Sequence, residues 1–216
     1  MIAKELEVTP QYGTSSLLLE PITEANVDAI TQALLPAPRG VLKWVLPEDK
    51  KLLASPESYQ QVVADPTQQA WAMRLGKKFI GLSHLWDVDS EEPGISTFIT
   101  DPAHHRQGFG SISNVAIISE HAFNPEQNKR SVRTGVSGGN VAAISSLGGI
   151  GFYSYGHAVD NKGREVYQRV GLLRTFPILG LRVLNPNHPL EEDMLHRRSQ
   201  LTFARRLNLL HIVSRG

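Results

Sequence analysis

Cysteine is absent from the 216 residues, which excludes disulfides, thiol nucleophiles and cysteine-ligated metals. An excess of either charge is also missing. Lys and Arg number 22 against 21 Asp and Glu, and a formal net charge of +1 argues against a surface built as a whole for nucleic acid. No apolar run approaches membrane-spanning length, and the opening Met1-Ile-Ala-Lys-Glu-Leu-Glu lacks the apolar core of a signal peptide. A cytoplasmic protein with no membrane partner is therefore expected. Internal repeats and low-complexity segments are lacking too. What remains is 41% hydrophobic and 20% charged residues, ordinary for a globular chain long enough to bury a core.

Apolar spacing and chain-breaking residues predict the order β-α-α-β-β-β-α-β-α-β-β. Leu17-Leu-Leu-Glu-Pro reads as a strand ended by Pro21. Thr23 is expected to cap a helix that carries Val27, Ile30 and Leu34 on one face and stops at Pro36. Residues 36–56, rich in Pro and Lys around Trp44, form a long connection, and residues 56–64 a short helix. Ala70-Trp-Ala-Met-Arg-Leu and Phe79-Ile-Gly-Leu-Ser-His-Leu-Trp flank the turn Gly76-Lys-Lys as a hairpin. A strand over 94–100, a helix over 111–123, a strand over 130–136 and a helix over 140–149 follow. A last hairpin spans 151–159 and 165–173 through Asn161-Lys-Gly163. Helices separate some strands while others join directly, which predicts an α/β fold with a mixed sheet and helices on both faces.

The most informative stretch is Asp101-Pro-Ala-His-His-Arg-Gln-Gly-Phe-Gly-Ser111. A strand stops at a proline, a short loop carries Gly108 and Gly110, and a helix begins. Backbone N–H groups and the positive end of a helix dipole converge there, which suits a phosphate or pyrophosphate. Ligands of such sheets sit at strand C-terminal ends where the strand order diverges, and the loop after Thr100 is that kind of place.

Across about residues 14–174 the chain resembles the GNAT superfamily of acyl-CoA-dependent N-acetyltransferases, its pattern being most similar to the ribosomal-protein-alanine and small-amine subgroup. His105-Arg-Gln-Gly-Phe-Gly110 matches the family's pyrophosphate loop, and Phe98-Ile-Thr-Asp-Pro102 its central strand with the terminating proline. Asn140, Ala143, Ile144 and Gly151-Phe152 match the later N-x-x-A-I…G-F pattern. The resemblance implies a twisted sheet that is V-shaped where its central strands part. It also implies acetyl-CoA as co-substrate, held by Ile99 and Thr100 along the pantetheine, by His105, Arg106, Gln107, Gly108, Phe109, Gly110 and Ser111 at the pyrophosphate, and by Asn140 from the other side. Four positions depart from the family. His105 replaces Arg or Gln, Arg106 stands where Gly is usual, Leu147 replaces a tyrosine that protonates the leaving thiolate, and Ile95 replaces a glutamate.

An attacking amine must lose a proton, so a base is useful. Glu92, in the acidic turn with Asp87, Asp89 and Glu91, is the candidate, and Tyr153 or Tyr155 could face the thioester. Ser145, Ser146 and His84 are weaker candidates, and catalysis by positioning alone stays open. His104 and His105 are adjacent and so point apart, with no third ligand nearby, and no metal is expected. Trp44, Lys43, Lys50 and Lys51 could shape an acceptor lid. A domain over 1–175 is expected, with 176–216 as an extension whose helix over 190–210 carries Arg197, Arg198, Arg205 and Arg206. That helix is expected to pack on the domain or on a second copy in a homodimer, the other reading being a contact with RNA, a ribosome or an acidic partner. The expected reaction is acetyl transfer from acetyl-CoA to a primary amine, a protein N-terminus or a small amine, by direct attack on the thioester. The alternative is a CoA-binding regulatory or interaction protein that has lost its chemistry.

Overall fold

The computed structural model describes residues 3–11, 15–35, 37–42, 45, 50, 52–137, 140–157, 167–170, 174–191 and 193–215. Trp44, Lys43, Lys51 and the turn at 161–163 lie outside these residues, and Lys50 is exposed.

Strands β1 (Glu5–Pro10) and β2 (Leu17–Pro21) pair antiparallel and bury Leu6, Val8, Leu17 and Leu19 on one face. Helix α1 (Val27–Leu34) starts one turn later than the sequence predicts. Asn26 takes the N-cap position, and its Oδ1 accepts the Thr23 backbone N–H at 2.7 Å, so Thr23 closes a preceding turn and does not cap. A short turn α2 (Arg39–Leu42) follows, and then α3 (Pro56–Ala64), whose proline stands in the first turn where its missing N–H costs no hydrogen bond. The hairpin of β3 (Gln68–Leu75) and β4 (Lys78–Trp86) turns at Gly76 as expected, and β5 (Gly94–Ile99) adds antiparallel to β4.

Beyond the loop lies α4 (Phe109–Ile117), which continues through a wider π-type turn at Ile118–Ala122. It is followed by β6 (Ser131–Ser137), α5 (Val141–Gly148), β7 (Tyr153–His157) and β8 (Tyr167–Val170). The next strand, β9 (Arg174–Leu184), was not expected, and residue 175, the expected boundary, falls inside it. The C-terminal residues form α6 (Met194–Leu207), capped by the Asp193 carboxylate on the N–H groups of Leu195 and His196, and β10 (Leu210–Arg215).

One mostly antiparallel sheet runs β10-β1-β2-β3-β4-β5-β6-β9-β7, with β8 paired to β9 at the side. Two apolar cores cover its faces. Trp71, Ile80, Val115, Ile117, Val132, Leu181 and Phe203 join α4 and α6 to one face, while Ile30, Leu34, Tyr59, Val62 and Leu82 join α1 and α3 to the other. The central pair β5 and β6 is the exception to antiparallel pairing. It is parallel and holds a single register pair, Gly94 with Arg133, whereas β6 and β9 pair over seven residues. From Gly94 onward the two strands part, and the backbone edge of β5 that faces β6 is left without a ladder partner.

Candidate active site

A cavity of about 560 Å³ fills the gap between the parted strands. Ser96, Thr97, Phe98 and Ile99 line it from β5, Thr134, Gly135 and Val136 from β6, and Val41 and Val45 from the segment after α1. Its mouth is the 105–110 loop. Gly108 has φ +84° and open space where a Cβ would stand, so the N-terminus of α4 presents bare backbone to the cavity. Arg106, where the family has glycine, is held at φ +61°, a left-handed conformation that costs a non-glycine residue roughly 1–2 kcal/mol. The titratable side chains lining the cavity are His104, His105 and Arg106, and among the described residues no carboxylate lines it. The loop thus offers cationic and N–H groups to an anion.

Most of the expected cofactor-binding residues meet in this place. Ile99, His105, Arg106, Gly108, Phe109, Gly110 and Asn140 all line the cavity. The His105 ring hydrogen-bonds the Ile99 carbonyl through Nε2 at 3.0 Å and ties the end of β5 to the loop. Asn140 is the N-cap of α5, its Oδ1 accepting the Ala143 N–H. Three of the group do different work. Thr100 is buried and gives both its N–H and its hydroxyl to the Ile80 carbonyl, bracing β5 on β4. Gln107 donates from Nε2 to the Ala103 carbonyl. Ser111 meets Ser146 at 2.6 Å and lines a second cavity of about 460 Å³ that shares Gly108 with the first.

Glu92 and Tyr153 do not line the cavity. The Glu92 carboxylate accepts from Arg182 Nε and, at 3.0 Å, from the Ser131 hydroxyl. Burial pushes its pKa up, but those hydrogen bonds and the charges of Arg182 and Arg133 outweigh burial and hold it below the usual carboxylate range. Tyr153 stands across from Arg182 in the sheet, with its ring beside Tyr155 and His196. His84 is buried away from the cavity. Its Nε2 donates to Gln68 Oε1 at 2.7 Å, and burial, only partly offset by the charge of Asp65, pushes its pKa down to about 4. Ser146 and Leu147 do line the cavity. His104 contacts Asp101 at 3.5 Å, next to the Lys78–Asp101 pair at 2.6 Å, and the described residues hold no metal-ligand cluster.

One residue escaped the sequence reading. Asn114 lines the cavity from α4, and the Thr97 hydroxyl donates to its Oδ1 at 2.6 Å. Thr97 has one hydroxyl proton and spends it there, so the contact from Ser83 at 3.0 Å must run from Ser83 to Thr97. The contact between Ser83 and Ser113 at 2.7 Å then runs from Ser113 to Ser83. With its oxygen engaged by Thr97 on the sheet, Asn114 has its amide N–H groups left for the cavity that it lines. Asn114 stands four residues after Gly110 and therefore lies on the same helix face one turn inward, which is the sequence signal that could have found it.

No protein-family model and no curated protein sequence matches the chain. Solved structures do. RimJ from Mycobacterium smegmatis in complex with CoA-disulfide is 14% identical, with a TM-score of 0.62 over 95% of this chain and 94% of that one. Spermidine N-acetyltransferase from Vibrio cholerae in complex with CoA and spermine is 18% identical, with a TM-score of 0.57 over 78% of this chain and 95% of that one. A domain from Methanocaldococcus jannaschii DSM 2661 is 12% identical, with a TM-score of 0.56 over 79% of this chain and all of that domain. Parted parallel strands, a glycine loop at their mouth and these neighbours agree on one architecture: the chain has the fold of the GNAT N-acetyltransferases.

Proposed function

We propose that the protein is an acyl-CoA-dependent N-acetyltransferase that moves acetyl from acetyl-CoA to a primary amine, a protein N-terminus or a small amine, by direct attack on the thioester. The observation that carries this reading is the gap between β5 and β6 with the Gly108 loop at its mouth. The loop backbone and Arg106 suit a pyrophosphate, and the unpaired edge of β5 near Ile99 together with the Asn114 amide suits the amide groups of a pantetheine arm. The Asn140 end of α5 closes the other wall. A ligand held along this length has its thioester fixed between two strands, and placement of this kind supplies much of the acceleration of acyl transfer. N–H donors near the carbonyl would favour the developing oxyanion. Glu92, paired with Arg182 and held low, is a poor base, and its geometry suits anchoring Arg182 better. The amine proton would leave to water.

A second reading, a CoA-binding regulator without turnover, draws on Leu147 in the cavity wall, where the family's acid would stand. Calorimetric titration of acetyl-CoA and CoA into the wild type and Gly108→Trp, followed by a turnover assay with amines, separates the two. The expected result is micromolar binding that Gly108→Trp abolishes, together with CoA release in the presence of an amine. Binding without release supports the regulator, and no binding refutes both.

A further inference from the structure

Outside the cavity, the sheet face beyond α1 and α3 holds two adjacent rows of residues in register. Arg133 of β6, Arg182 of β9 and Tyr153 of β7 form one row. Two residues along β6, Gly135 pairs with Gly180 of β9, and Gly180 pairs with Gly156 of β7. Residues two apart on a strand share a face. On β7 a bulge at Tyr155 sets Gly156 three residues after Tyr153, but Gly156 pairs with Gly180 and so shares its face. The second row is a floor of three glycines without side chains beside a wall of Arg133, Arg182 and Tyr153, with the exposed Tyr155 ring packed on Arg182 at its β7 end. Gly135 is exposed and also lines the cavity between the parted strands, so the trough opens from the place where a thioester would be attacked and leads toward the β7 edge.

A glycine in a strand interior forfeits packing and often marks the close approach of another backbone. Three in register on neighbouring strands give up that packing along one line. Two strand spacings of about 4.8 Å make the floor about 10 Å long, the reach of about three residues of extended chain. The wall is firm. Arg133 holds Asp87 at 2.6 Å and lies 4.6 Å over the Trp86 ring, and Arg182 holds Glu92 and lies 5.1 Å from the Tyr155 ring centre. Both carboxylates that touch the row are thereby engaged by arginine, so among the described residues a polycation finds no free anion on it.

Resting on the acetyltransferase reading, we propose that the acceptor is the N-terminus of a polypeptide, whose first residues after the amine lie extended in the Gly135–Gly180–Gly156 trough, and not a polyamine. With the wild-type protein and saturating acetyl-CoA, kcat/KM rises at least tenfold from alanine amide to tetra-alanine amide, and spermidine is the poorest of the three. Gly180→Val, which places a side chain on the floor, cuts the tetrapeptide value at least tenfold, leaves alanine amide little changed and leaves acetyl-CoA affinity intact. Spermidine or alanine amide turned over as well as the tetrapeptide overturns the assignment while the acetyltransferase stands, as does a Gly180→Val loss equal for every acceptor. A protein that binds no acetyl-CoA, or that acetylates none of the three, overturns the enzyme reading and this one together. The wild-type length series decides the matter even if Gly180→Val fails to fold.

Discussion

Asn114 spends its amide oxygen on Thr97 and keeps its N–H groups for the cavity, so stability and binding separate at this side chain. Asn114→Leu removes the donors and strands the Thr97 hydroxyl. The expected outcome is a loss of about 1–3 kcal/mol in stability and about tenfold in CoA affinity. Adding Thr97→Val removes the stranded hydroxyl, and replacing both partners by apolar groups is close to neutral, so stability returns while CoA affinity does not. Urea unfolding and calorimetry on both variants check this, and an affinity that recovers with stability would mean that Asn114 serves packing alone. At this scale the sequence was readable where a backbone constraint is local. Gly108 announces its left-handed turn, and Arg106 stands out because it occupies a place that favours glycine, as its φ of +61° bears out. The state of Glu92 was not readable, because Arg182 meets it from 90 positions away.

Among the elements, the C-terminal ones are held by close contacts that no local pattern announces. The carbonyl of Gly151 receives the Ser199 hydroxyl of α6, and Phe203 of α6 is fully buried against the main core. Gly151 has φ +104°, and a Cβ there would stand 2.6 Å from the Ser199 carbonyl oxygen. Gly151→Ala is expected to cost about 3 kcal/mol, strain and collision together. Gly108→Ala meets nothing within 4 Å and should cost only about 1–2 kcal/mol from its φ. Urea midpoints compare the two, and equal losses would refute the close seat of α6. The same remoteness hid whole strands. Among the described residues β10 is an edge strand paired only to β1, some 200 residues away, and neither short segment reads as a strand without its partner. The boundary expected at 175 falls inside β9, where even Pro177 keeps its place in the ladder opposite Tyr167. By contrast, the β3–β4 hairpin and the β5–loop–α4 unit are each contiguous in sequence, over 68–86 and 94–117, and both formed as expected.

At the level of the whole molecule, two histidines tie stability to pH. His84 of β4 is buried and bonded to Gln68 of β3, and His121 tilts against Trp71 with ring centres 4.7 Å apart. Burial pushes both down to about 4; Asp65 partly offsets this at His84, and the charge of Lys4 adds to it at His121. In the unfolded chain both would titrate near 6.5, so between pH 6.5 and about 4 the unfolded state binds protons that the folded state refuses. Stability is therefore full above pH 6.5 and falls as pH drops through this window, by up to about 3 kcal/mol for each histidine. Below about pH 4 the folded histidines protonate too and their slope ends, leaving Glu92, whose lowered pKa gives stability that is lost as it protonates. His121→Phe keeps an aromatic ring against Trp71 and removes one of the two titrations. Its urea midpoint should then fall about half as steeply between pH 6.5 and 4 as that of the wild type. An unchanged slope would place the acid sensitivity elsewhere, in carboxylates such as Glu92, Asp65 and Asp101, which their hydrogen bonds hold below the usual range.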